Sequence, residues 1–375
     1  MKVNFNKLST TGHEIDYIKE AIESEYLHGG GKFLKKCESQ ISDIVNKPAL
    51  LTTSCTSALD MAALLLDIKE QDEVIVPSFT FVSSINAFAL RGAKPVFCDV
   101  RADTLNIDET KIESLITEKT KAIVPVHYAG VGCEMDTILA IAKRNNIKVV
   151  EDAAQGFCSY YKGKHLGTFG DLGALSFHGT KNVIAGEAGA MLCNNPSLFE
   201  RANFIREKGT NRIHFVEGKI DKYTWVDYGS SYIPSELISA FLSAQLEVAQ
   251  KLTKDRLDAW NYYNQNLAQL ERDGKLTLGK VPQECTHNAH IFWATTDSSE
   301  TTKALLDYLK SKEISAMQHY IPLHNCPMAQ KLGCANTPLP VVEKLAKTMF
   351  RLPIYSTITH TEQDAVIDAI FSFFK

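Results

Sequence analysis

Short, almost continuously apolar runs alternate with helical patterns over the first two-thirds of this chain, and this alternation constrains the fold more than any other feature. Runs of this kind are typical of strands buried on both faces of a sheet. Strands are predicted at EVIVPSF 73–79, KPVFCDV 94–100, KAIVPVHY 121–128 and IKVVEDAA 147–154. Helices are predicted at 56–68 and 135–146. Such alternation implies an α/β fold, a mostly parallel sheet covered by helices.

The pattern changes in the last third of the chain, which predicts a second domain. Residues 234–270 are predicted to form a long helix, either continuous or broken. Beyond about residue 280, the strand-like run HIFWAT and the helical run TKALLDYLKSKE indicate a smaller α+β unit. We therefore expect a large domain over residues 1–245 and a small C-terminal domain over residues 246–375.

Charge and cysteine usage exclude several classes of protein. The net charge of −4 over 375 residues argues against a nucleic-acid-binding protein, although it does not exclude a local basic pocket for a phosphorylated ligand. The nine cysteines form no CxxC pair and no zinc-type spacing with histidine, which indicates a reducing compartment and no metal site. The N-terminus has no apolar core like that of a signal peptide, and no apolar run is long enough to span a bilayer. These features predict a soluble cytoplasmic protein without nucleic-acid or membrane partners.

Residues at the ends of the predicted strands are the first candidates for a site, because ligands of parallel α/β sheets bind beyond the carboxyl ends of the strands. Ser54, Thr56 and Ser57 lie where a small polar loop turns into a long apolar helix. Such residues cap helix starts. The same geometry also points unpaired backbone N–H groups at one spot, which suits a phosphate. The local sequence does not distinguish between these two interpretations.

A carboxylate and a lysine follow in chain order. Asp152 ends an apolar strand, where a charge is costly unless it has a partner. It is a helix cap, a member of an ion pair or the counter-ion of a cationic ring nitrogen, and Gln155 lies one helical turn away. Lys181 lies between ALSF and the small residues AGEAGA, an unusual setting for a solvated lysine. The order of polar loop, strand-end aspartate and loop lysine favours a cofactor that bonds covalently to the lysine.

Together these segments resemble one protein family. SFHGTKNVIAGEAGA, EDAAQG and TSCTSAL are similar to the cofactor motifs of the DegT/DnrJ/EryC1/StrS sugar aminotransferases, and PSFTFVSSINAFALRGAKPVFCDV, PVHYAGVGCEMD, IREKGTNR, DKYTWVDYGSSY and HYIPLH extend the likeness nearly end to end. The resemblance implies an aspartate-aminotransferase-like fold, fold type I, with pyridoxal 5′-phosphate as the cofactor. It also implies a homodimer with shared active sites.

The resemblance assigns the central residues. Lys181 matches the lysine that bonds to the cofactor and later moves a proton during the reaction. Asp152 matches the carboxylate that pairs with the pyridine nitrogen, and so keeps the ring an electron sink. Gln155 matches a glutamine that contacts the cofactor.

The same resemblance assigns the residues around the cofactor. Thr56 and Ser176 match ligands of the phosphate or of a ring oxygen, and Cys55 belongs to the same phosphate-binding motif. Phe81 matches the aromatic residue that stacks on the ring. Phe79 would share its face in an extended strand and is the competing candidate. For either phenylalanine, plain core packing is the alternative.

Two departures from the family pattern carry predictions. The usual GEGG reads Gly186-Glu187-Ala188-Gly189 here, a change that a tight loop tolerates if the φ of Ala188 is negative. Family members often carry an asparagine that reaches the phosphate in the neighbouring subunit. Ser231 in GSSYIPSEL stands nearest that position, and a serine is still able to hydrogen-bond there.

Substrate contacts are expected from two segments. In HYIPLH, the resemblance implies a substrate-facing role for Tyr320 and His324. In IREKGTNR, the side chains of Arg206, Lys208 and Arg212 either meet a nucleotide diphosphate or form a solvated charged loop.

Within the family, the motifs most resemble enzymes that make dTDP-4-amino-4,6-dideoxy-D-galactose, a sugar of the enterobacterial common antigen and of lipopolysaccharide-type biosynthesis. The implied reaction moves an amino group from L-glutamate to dTDP-4-keto-6-deoxy-D-glucose and releases 2-oxoglutarate. Amination at C3 and formation of the opposite C4 epimer are the alternatives within the fold. A sugar dehydratase of the same scaffold carries histidine in place of the lysine, so Lys181 argues against it. A non-catalytic sensor that keeps the cofactor is a further alternative.

Overall fold

A computed structural model describes residues 1–335 and 338–375 of the chain. The helices are α1 Glu14–Glu23, α2 Lys32–Val45, α3 Cys55–Leu65, α4 Ser83–Ala89, α5 Glu109–Ile112, α6 Met135–Arg144, α7 Phe199–Arg206, α8 Arg212–Val216, α9 Glu236–Glu247, α10 Ala249–Arg272, α11 Ser299–Ser311, α12 Pro327–Lys331, α13 Pro340–Thr348 and α14 His360–Phe374. The strands are β1 Ala49–Thr52, β2 Glu73–Pro77, β3 Lys94–Cys98, β4 Thr120–Ile123, β5 Lys148–Asp152, β6 Tyr160–Tyr161, β7 Lys164–His165, β8 Leu172–Ser176, β9 Gly189–Cys193, β10 Thr277–Leu278, β11 Cys285–Thr286, β12 Phe292–Thr295 and β13 Met349–Leu352.

The central feature of the part that the structure describes is a seven-stranded sheet in the order β1-β9-β8-β5-β4-β2-β3. The pairs β2–β3, β2–β4, β4–β5 and β5–β8 are parallel. Strand β9 pairs antiparallel with both β8 and β1. The mostly parallel α/β sheet predicted from the sequence is confirmed.

Alternate residues of each central strand enter different cores, which explains the continuous apolar runs. In β2, Val74 and Val76 pack in one core with α3 and α4, while Ile75 packs in the other with α2, α6 and α9. Side chains of a strand point alternately to its two faces. A strand covered on both faces therefore needs apolar residues at every position.

The four predicted central strands are present, but each is shorter than its apolar run. Strand β4 ends at Ile123, whereas the run continues to 128, where Val126 forms only an isolated bridge to Asp152. Strand β5 ends at Asp152 and β2 at Pro77. The residues beyond these ends form loops at the carboxyl edge of the sheet.

A second unit is built by α10, α11 and α14 around an antiparallel sheet in the order β10-β12-β13. The long helix predicted at 234–270 is broken at Val248, where ψ is 13°. Val3 is fully buried in the core of this unit and bridges Ile314. The N-terminus therefore returns to the C-terminal core, and the domain boundary between residues 245 and 246 stays a prediction.

All nine cysteines carry free thiols. Across residues 1–335 and 338–375, no helix combines the length and the apolar character needed to cross a membrane. In the same residues, no group of three or more His, Cys, Asp or Glu side chains is arranged to hold a metal ion.

Candidate active site

A cavity of about 340 Å³ opens at the carboxyl edge of the large sheet. It lies where β5 and β8 end, beside the start of α3, as expected for a parallel α/β sheet. Most of the residues predicted for the site line this one cavity: Cys55, Thr56, Phe81, Asp152, Gln155, Ser176, Lys181 and Tyr320.

The start of α3 forms one wall of the cavity. The hydroxyl of Ser54 accepts a hydrogen bond of 3.0 Å from the amide of Ser57, so the capping interpretation is correct for Ser54. The hydroxyl of Thr56 is 2.8 Å from that of Ser83. Because unpaired amides and the positive end of the helix dipole face the cavity here, this wall also suits a phosphate.

Strand β9 passes so close to the start of α3 that only glycine fits at position 189. A Cβ on Gly189 would lie 2.3 Å from the amide nitrogen of Cys55 and 2.4 Å from the carbonyl carbon of Ser54. Gly189 also pairs with Ser176 at the end of β8. The close approach brings the helix start and the hydroxyl of Ser176 to the same end of the cavity.

The neighbouring loop accepts the change from GEGG to GEAG. Gly186 has a φ of +76°, in the left-handed region that favours glycine. Ala188 does not have a positive φ, and its side chain is buried. The condition under which alanine was expected to be tolerated here, a φ that is not positive, is met.

Asp152 is the last residue of β5 and is only 5% exposed. Its Oδ2 accepts a hydrogen bond of 2.6 Å from the hydroxyl of Ser84, and its Oδ1 accepts one of 3.0 Å from the amide of Ala154. No ion pair to Asp152 is present among the described residues. The carboxylate is therefore fixed in place, with hydrogen-bond donors but no cation to neutralise it.

Lys181 lies in the loop after β8, where its amide donates to the carbonyl of His178 at 2.9 Å. Desolvation lowers the pKa of its amine from the ordinary value, and the nearby Asp152 opposes this effect. The lysine amine and the aspartate carboxylate therefore meet across one cavity. An amine with a lowered pKa is more available as a nucleophile and as a base.

The side chain of Gln155 is hydrogen-bonded to two separate segments of the chain. Its Oε1 accepts from the amide of Ala129 at 2.7 Å, and its Nε2 is 3.3 Å from the hydroxyl of Tyr320. Direct contact with the cofactor stays a prediction for Gln155.

The aromatic residues divide into one that faces the cavity and several that support it. Phe81 lines the cavity and is 57% exposed, whereas Phe79 is 1% exposed and packs against Tyr128 and Tyr320. Phe79 is thus a core residue, and Phe81 is in position to stack on a ring. Its role stays a prediction.

His319 stacks on Tyr320 with ring centroids 3.5 Å apart, and its Nδ1 is 2.7 Å from the hydroxyl of Tyr128. Burial lowers the pKa of His319 to about 2, so the imidazole is neutral. Tyr320, which lines the cavity, therefore stacks on an uncharged imidazole ring.

The structure corrects the prediction for His324. The side chain is 2% exposed and does not line the cavity. Its Nδ1 is 2.6 Å from the hydroxyl of Ser78, and its Nε2 is 3.3 Å from a carboxylate oxygen of Glu343. Both ring nitrogens are engaged, so His324 tethers the segment that carries Tyr320 to the end of β2 and does not face a substrate.

In the basic segment that begins at the end of α7, the three predicted side chains lie in two different places. Arg206 is buried and bonds to Glu38 and to the carbonyl of Leu51, so it is structural and is not a nucleotide contact. Lys208 and Arg212 line a separate surface cavity of about 430 Å³ together with Ser231. Ser231 is exposed and does not line the cavity that contains Lys181, and its contact with the cofactor phosphate of a neighbouring subunit stays a prediction.

The sequence motifs did not identify every residue of the site. Ser84, the donor to Asp152, lies in the quoted segment PSFTFVSSINAFALRGAKPVFCDV, but serine is too common there to be a signal. Arg256 and Arg351 line a cavity that adjoins Lys181. They come from α10 and β13, and no local motif marks them.

The groups around the cavity fit pyridoxal phosphate. Asp152 is a buried carboxylate able to face a protonated ring nitrogen, the start of α3 suits the phosphate, Phe81 offers an aromatic face and Lys181 offers an amine. Fold and site together define a pyridoxal-phosphate-dependent enzyme of fold type I.

The chain belongs to the DegT/DnrJ/EryC1/StrS aminotransferase family, which matches residues 9–371. It is 31% identical to the GDP-perosamine synthase of Escherichia coli O157:H7 over 372 residues, 98% of this chain and 97% of that protein. It is 32% identical to the GDP-perosamine synthase of Caulobacter vibrioides over 365 residues, 96% and 95% of the two chains. The aminotransferase structure from Psychrobacter cryohalolentis superposes with a TM-score of 0.94 at 26% identity, over 99% of each chain.

The predicted family, fold, cofactor and enzyme class are thereby confirmed. The protein is a sugar aminotransferase of nucleotide-sugar biosynthesis, with an amino donor and a nucleotide-linked keto sugar as substrates. The finer prediction of a dTDP-linked sugar is not carried by these relatives, since both are named for a GDP-linked one.

Proposed function

We propose that the protein transfers the amino group of L-glutamate to C4 of dTDP-4-keto-6-deoxy-D-glucose, giving dTDP-4-amino-4,6-dideoxy-D-galactose and 2-oxoglutarate. The observation that carries the proposal is that Lys181 and Asp152 line one cavity at the start of α3. The choice of dTDP and of C4 rests on the resemblance of segments such as HYIPLH and DKYTWVDYGSSY.

The residues of the cavity would hold the cofactor by complementary charge and hydrogen bonding. Thr56, Ser176 and the amides at the start of α3 would bind the phosphate, and Phe81 would stack on the ring. Asp152 would face the ring nitrogen, held there by Ser84. When bound, pyridoxal phosphate supplies an electron sink for the negative charge that develops on the substrate carbon.

Lys181 performs the proton transfers. Its Nζ takes the proton from Cα of glutamate, and in the second half of the reaction it delivers a proton to C4 of the sugar. A base and acid in one group works best with a pKa near the working pH. The desolvation that lowers the pKa of Lys181 acts in this direction.

The proposal includes a homodimer in which each subunit completes the site of the other. Ser231 is exposed outside its own cavity, and the same segment exposes Trp225 and Tyr228, which are 75% and 67% accessible. Large exposed aromatic side chains are typical of protein–protein contacts. Light scattering of the purified protein tests this part, and a monomer would contradict it.

The deciding experiment supplies purified protein and pyridoxal phosphate with L-glutamate and either of two acceptors, dTDP-4-keto-6-deoxy-D-glucose or a GDP-linked 4-keto-6-deoxyhexose. NMR of the product identifies the aminated carbon and its configuration. The proposal expects the dTDP-linked 4-amino product of galactose configuration. A preference for the GDP-linked acceptor, which the names of the relatives make the second candidate, would overturn the choice of nucleotide.

The first half-reaction separates an enzyme from a sensor or a dehydratase. Glutamate alone should change the visible absorption spectrum of the bound cofactor. It should also release one 2-oxoglutarate per site. A protein that keeps the cofactor but leaves glutamate unchanged would contradict the proposed transamination.

A further inference from the structure

Two ionisable side chains that line the cavity around Lys181 and Asp152, called here the cofactor cavity, have no part in the proton transfers. His178 and Glu187 lie near the two ends of the loop that joins β8 to β9, and Lys181 lies between them in this loop. Their side chains are 46% and 69% exposed, so packing in a core does not explain the contacts that they make.

The backbone closes the loop between β8 and β9 at its base. The amide of Phe177 donates to the carbonyl of Ala188 at 2.8 Å, and the amide of Ala185 donates to the carbonyl of Phe177 at 2.7 Å. Phe177 and Ala188 are both buried. The base of the loop is therefore fixed by the fold, whereas the backbone between His178 and Lys181 needs contacts of its own.

The side chain of His178 supplies such contacts, because it closes a turn that ends at Lys181. Its Nδ1 accepts a hydrogen bond of 3.2 Å from the amide of Thr180, and the hydroxyl of Thr180 lies 2.9 Å from the same nitrogen. The carbonyl of His178 accepts a hydrogen bond of 2.9 Å from the amide of Lys181. Asparagine and aspartate side chains make the same bond to the amide two residues further on. The imidazole takes their place here and fixes the backbone directly before the lysine.

The neighbours of the ring also select its tautomer. Because Nδ1 accepts from the amide of Thr180, the proton of the neutral ring of His178 is on Nε2. Oε1 of Glu187 lies 3.4 Å from Nε2. A carboxylate beside one ring nitrogen favours the tautomer that carries its proton there. Glu187 therefore stabilises the form of the ring that is able to hold the turn.

We propose that His178 is a positioning residue for Lys181, and that Glu187 orients its ring. By holding the turn, the imidazole keeps the backbone of the lysine where its amine reaches the cofactor cavity. A displacement of about 1 Å in a reacting group is enough to slow a reaction strongly. The assignment rests on the proposed role of Lys181 in the covalent link to pyridoxal phosphate, and it concerns only where the amine lies.

The test uses the protein with bound pyridoxal phosphate and methylamine, an external amine that competes with Lys181. The methylamine nitrogen replaces the lysine nitrogen at the aldehyde carbon of the cofactor, and the lysine amine is released. Borohydride reduction followed by mass spectrometry counts the chains that still carry the cofactor on Lys181. The methylamine concentration that halves this count measures the effective concentration of the lysine amine, which depends on its placement.

His178→Phe keeps a ring of similar size and removes the acceptor. It should lower the half-displacing methylamine concentration about threefold to tenfold, the effect of losing one hydrogen bond. His178→Asn should stay within about twofold of the wild type, because its side-chain oxygen is able to accept from the amide of Thr180. Glu187→Ala should lie between these two variants. His13→Phe, at an exposed histidine of the N-terminal segment, is the matched control and should behave as the wild type does.

Equilibrium dialysis of the protein loaded with pyridoxamine phosphate gives a second readout. This form of the cofactor occupies the same cavity and has no aldehyde, so its affinity does not depend on where the lysine amine lies. The affinity should be equal in the wild type and in His178→Phe. An affinity that falls as much as the half-displacing concentration would show that His178 supports the whole cavity, and would overturn the assignment.

The competition experiment overturns the assignment if His178→Phe and the wild type need the same methylamine concentration, or if His178→Asn loses as much as His178→Phe. A wild type without any link at Lys181 would instead overturn the proposed function, and the assignment with it. Neither measurement needs a sugar substrate, so an error in the proposed acceptor leaves both in force. Should His178→Phe fail to fold, His178→Ala decides by the same two measurements.

Discussion

The hydroxyl of Ser84 donates a hydrogen bond of 2.6 Å to Oδ2 of Asp152, across the junction between α4 and the end of β5. The hydroxyl of Thr80 lies 2.6 Å from that of Ser84 and is free to donate to it, because the proton of Ser84 is committed to the carboxylate. A chain of hydroxyls therefore fixes the direction in which the carboxylate points.

Ser84→Ala should misalign Asp152 without removing its charge. We expect the free energy of unfolding to fall by about 1–2 kcal/mol, the usual value for a lost buried hydrogen bond to a charged group. We expect kcat to fall roughly tenfold. Denaturant titration and steady-state rates measure both, with Ser114→Ala, an exposed serine that donates to a backbone carbonyl, as control. An unchanged kcat would show that the hydroxyl does not position the carboxylate.

Lys181→Ala should remove the covalent link to the cofactor and lower the rate of transamination by about 10³-fold or more, because both the nucleophile and the proton carrier are lost. Borohydride reduction followed by mass spectrometry detects the link in the wild type, and the variant should give none. Lys303→Ala, at an exposed lysine of α11, is the control. Near-normal transamination by Lys181→Ala would contradict the assignment.

Gly189→Ala should push β9 away from the start of α3, since the new Cβ would lie 2.3 Å from the backbone of Cys55. We expect a loss of about 1–3 kcal/mol in the free energy of unfolding and weaker binding of pyridoxal phosphate, because the phosphate wall is displaced. Gly179→Ala, in the segment between β8 and β9, is the matched control, since a Cβ there would have no atom nearer than 3.9 Å. Equal cofactor affinity in both variants would argue against the close approach.

His165 should make the protein sensitive to acid. Its Nε2 accepts from the amide of Cys158 at 2.9 Å, so the buried ring must be neutral, and burial lowers its pKa from 6.5 to about 4. The unfolded chain binds this proton more readily, so stability falls as the pH falls from 6.5 to 4, by roughly 3 kcal/mol in all.

The measurement is the free energy of unfolding against pH for the wild type and His165→Gln. The variant should show a shallower loss between pH 6.5 and 4, and His13→Gln, at an exposed histidine, should follow the wild type. Parallel curves for wild type and His165→Gln would contradict this account.

Local sequence patterns were enough to predict the α/β sheet and most of the residues that line the cofactor cavity. Thr56, Asp152 and Lys181 lie in short segments at the ends of β1, β5 and β8, three strands of the same sheet. The carboxyl ends of parallel strands lie at one edge of the sheet, so residues that follow these strands lie close together in space. The roles of these residues stay predictions, but their convergence follows from the pattern.

Local patterns failed where the outcome depends on partners that are distant in the chain. His324 was expected to face a substrate, and Arg206 was expected either at a nucleotide diphosphate or in a solvated loop. Both are instead buried against residues far from them in sequence, Ser78 and Glu38 respectively. Nothing in the segments around these residues tells a free polar side chain from one whose hydrogen bonds are already made.

The sequence by itself determined the class of fold and the family, and it singled out Lys181 as the candidate for the reactive lysine, because strand burial, helix starts and motif order are properties of neighbouring residues. Only the tertiary structure decided which charges are left without a partner. Arg256 and Arg351 are ordinary arginines in the sequence, and only the fold places both in the lining of one cavity that no aspartate or glutamate lines. Burial and pairing depend on segments that meet only in the folded chain, and the free energy of a charge depends on both.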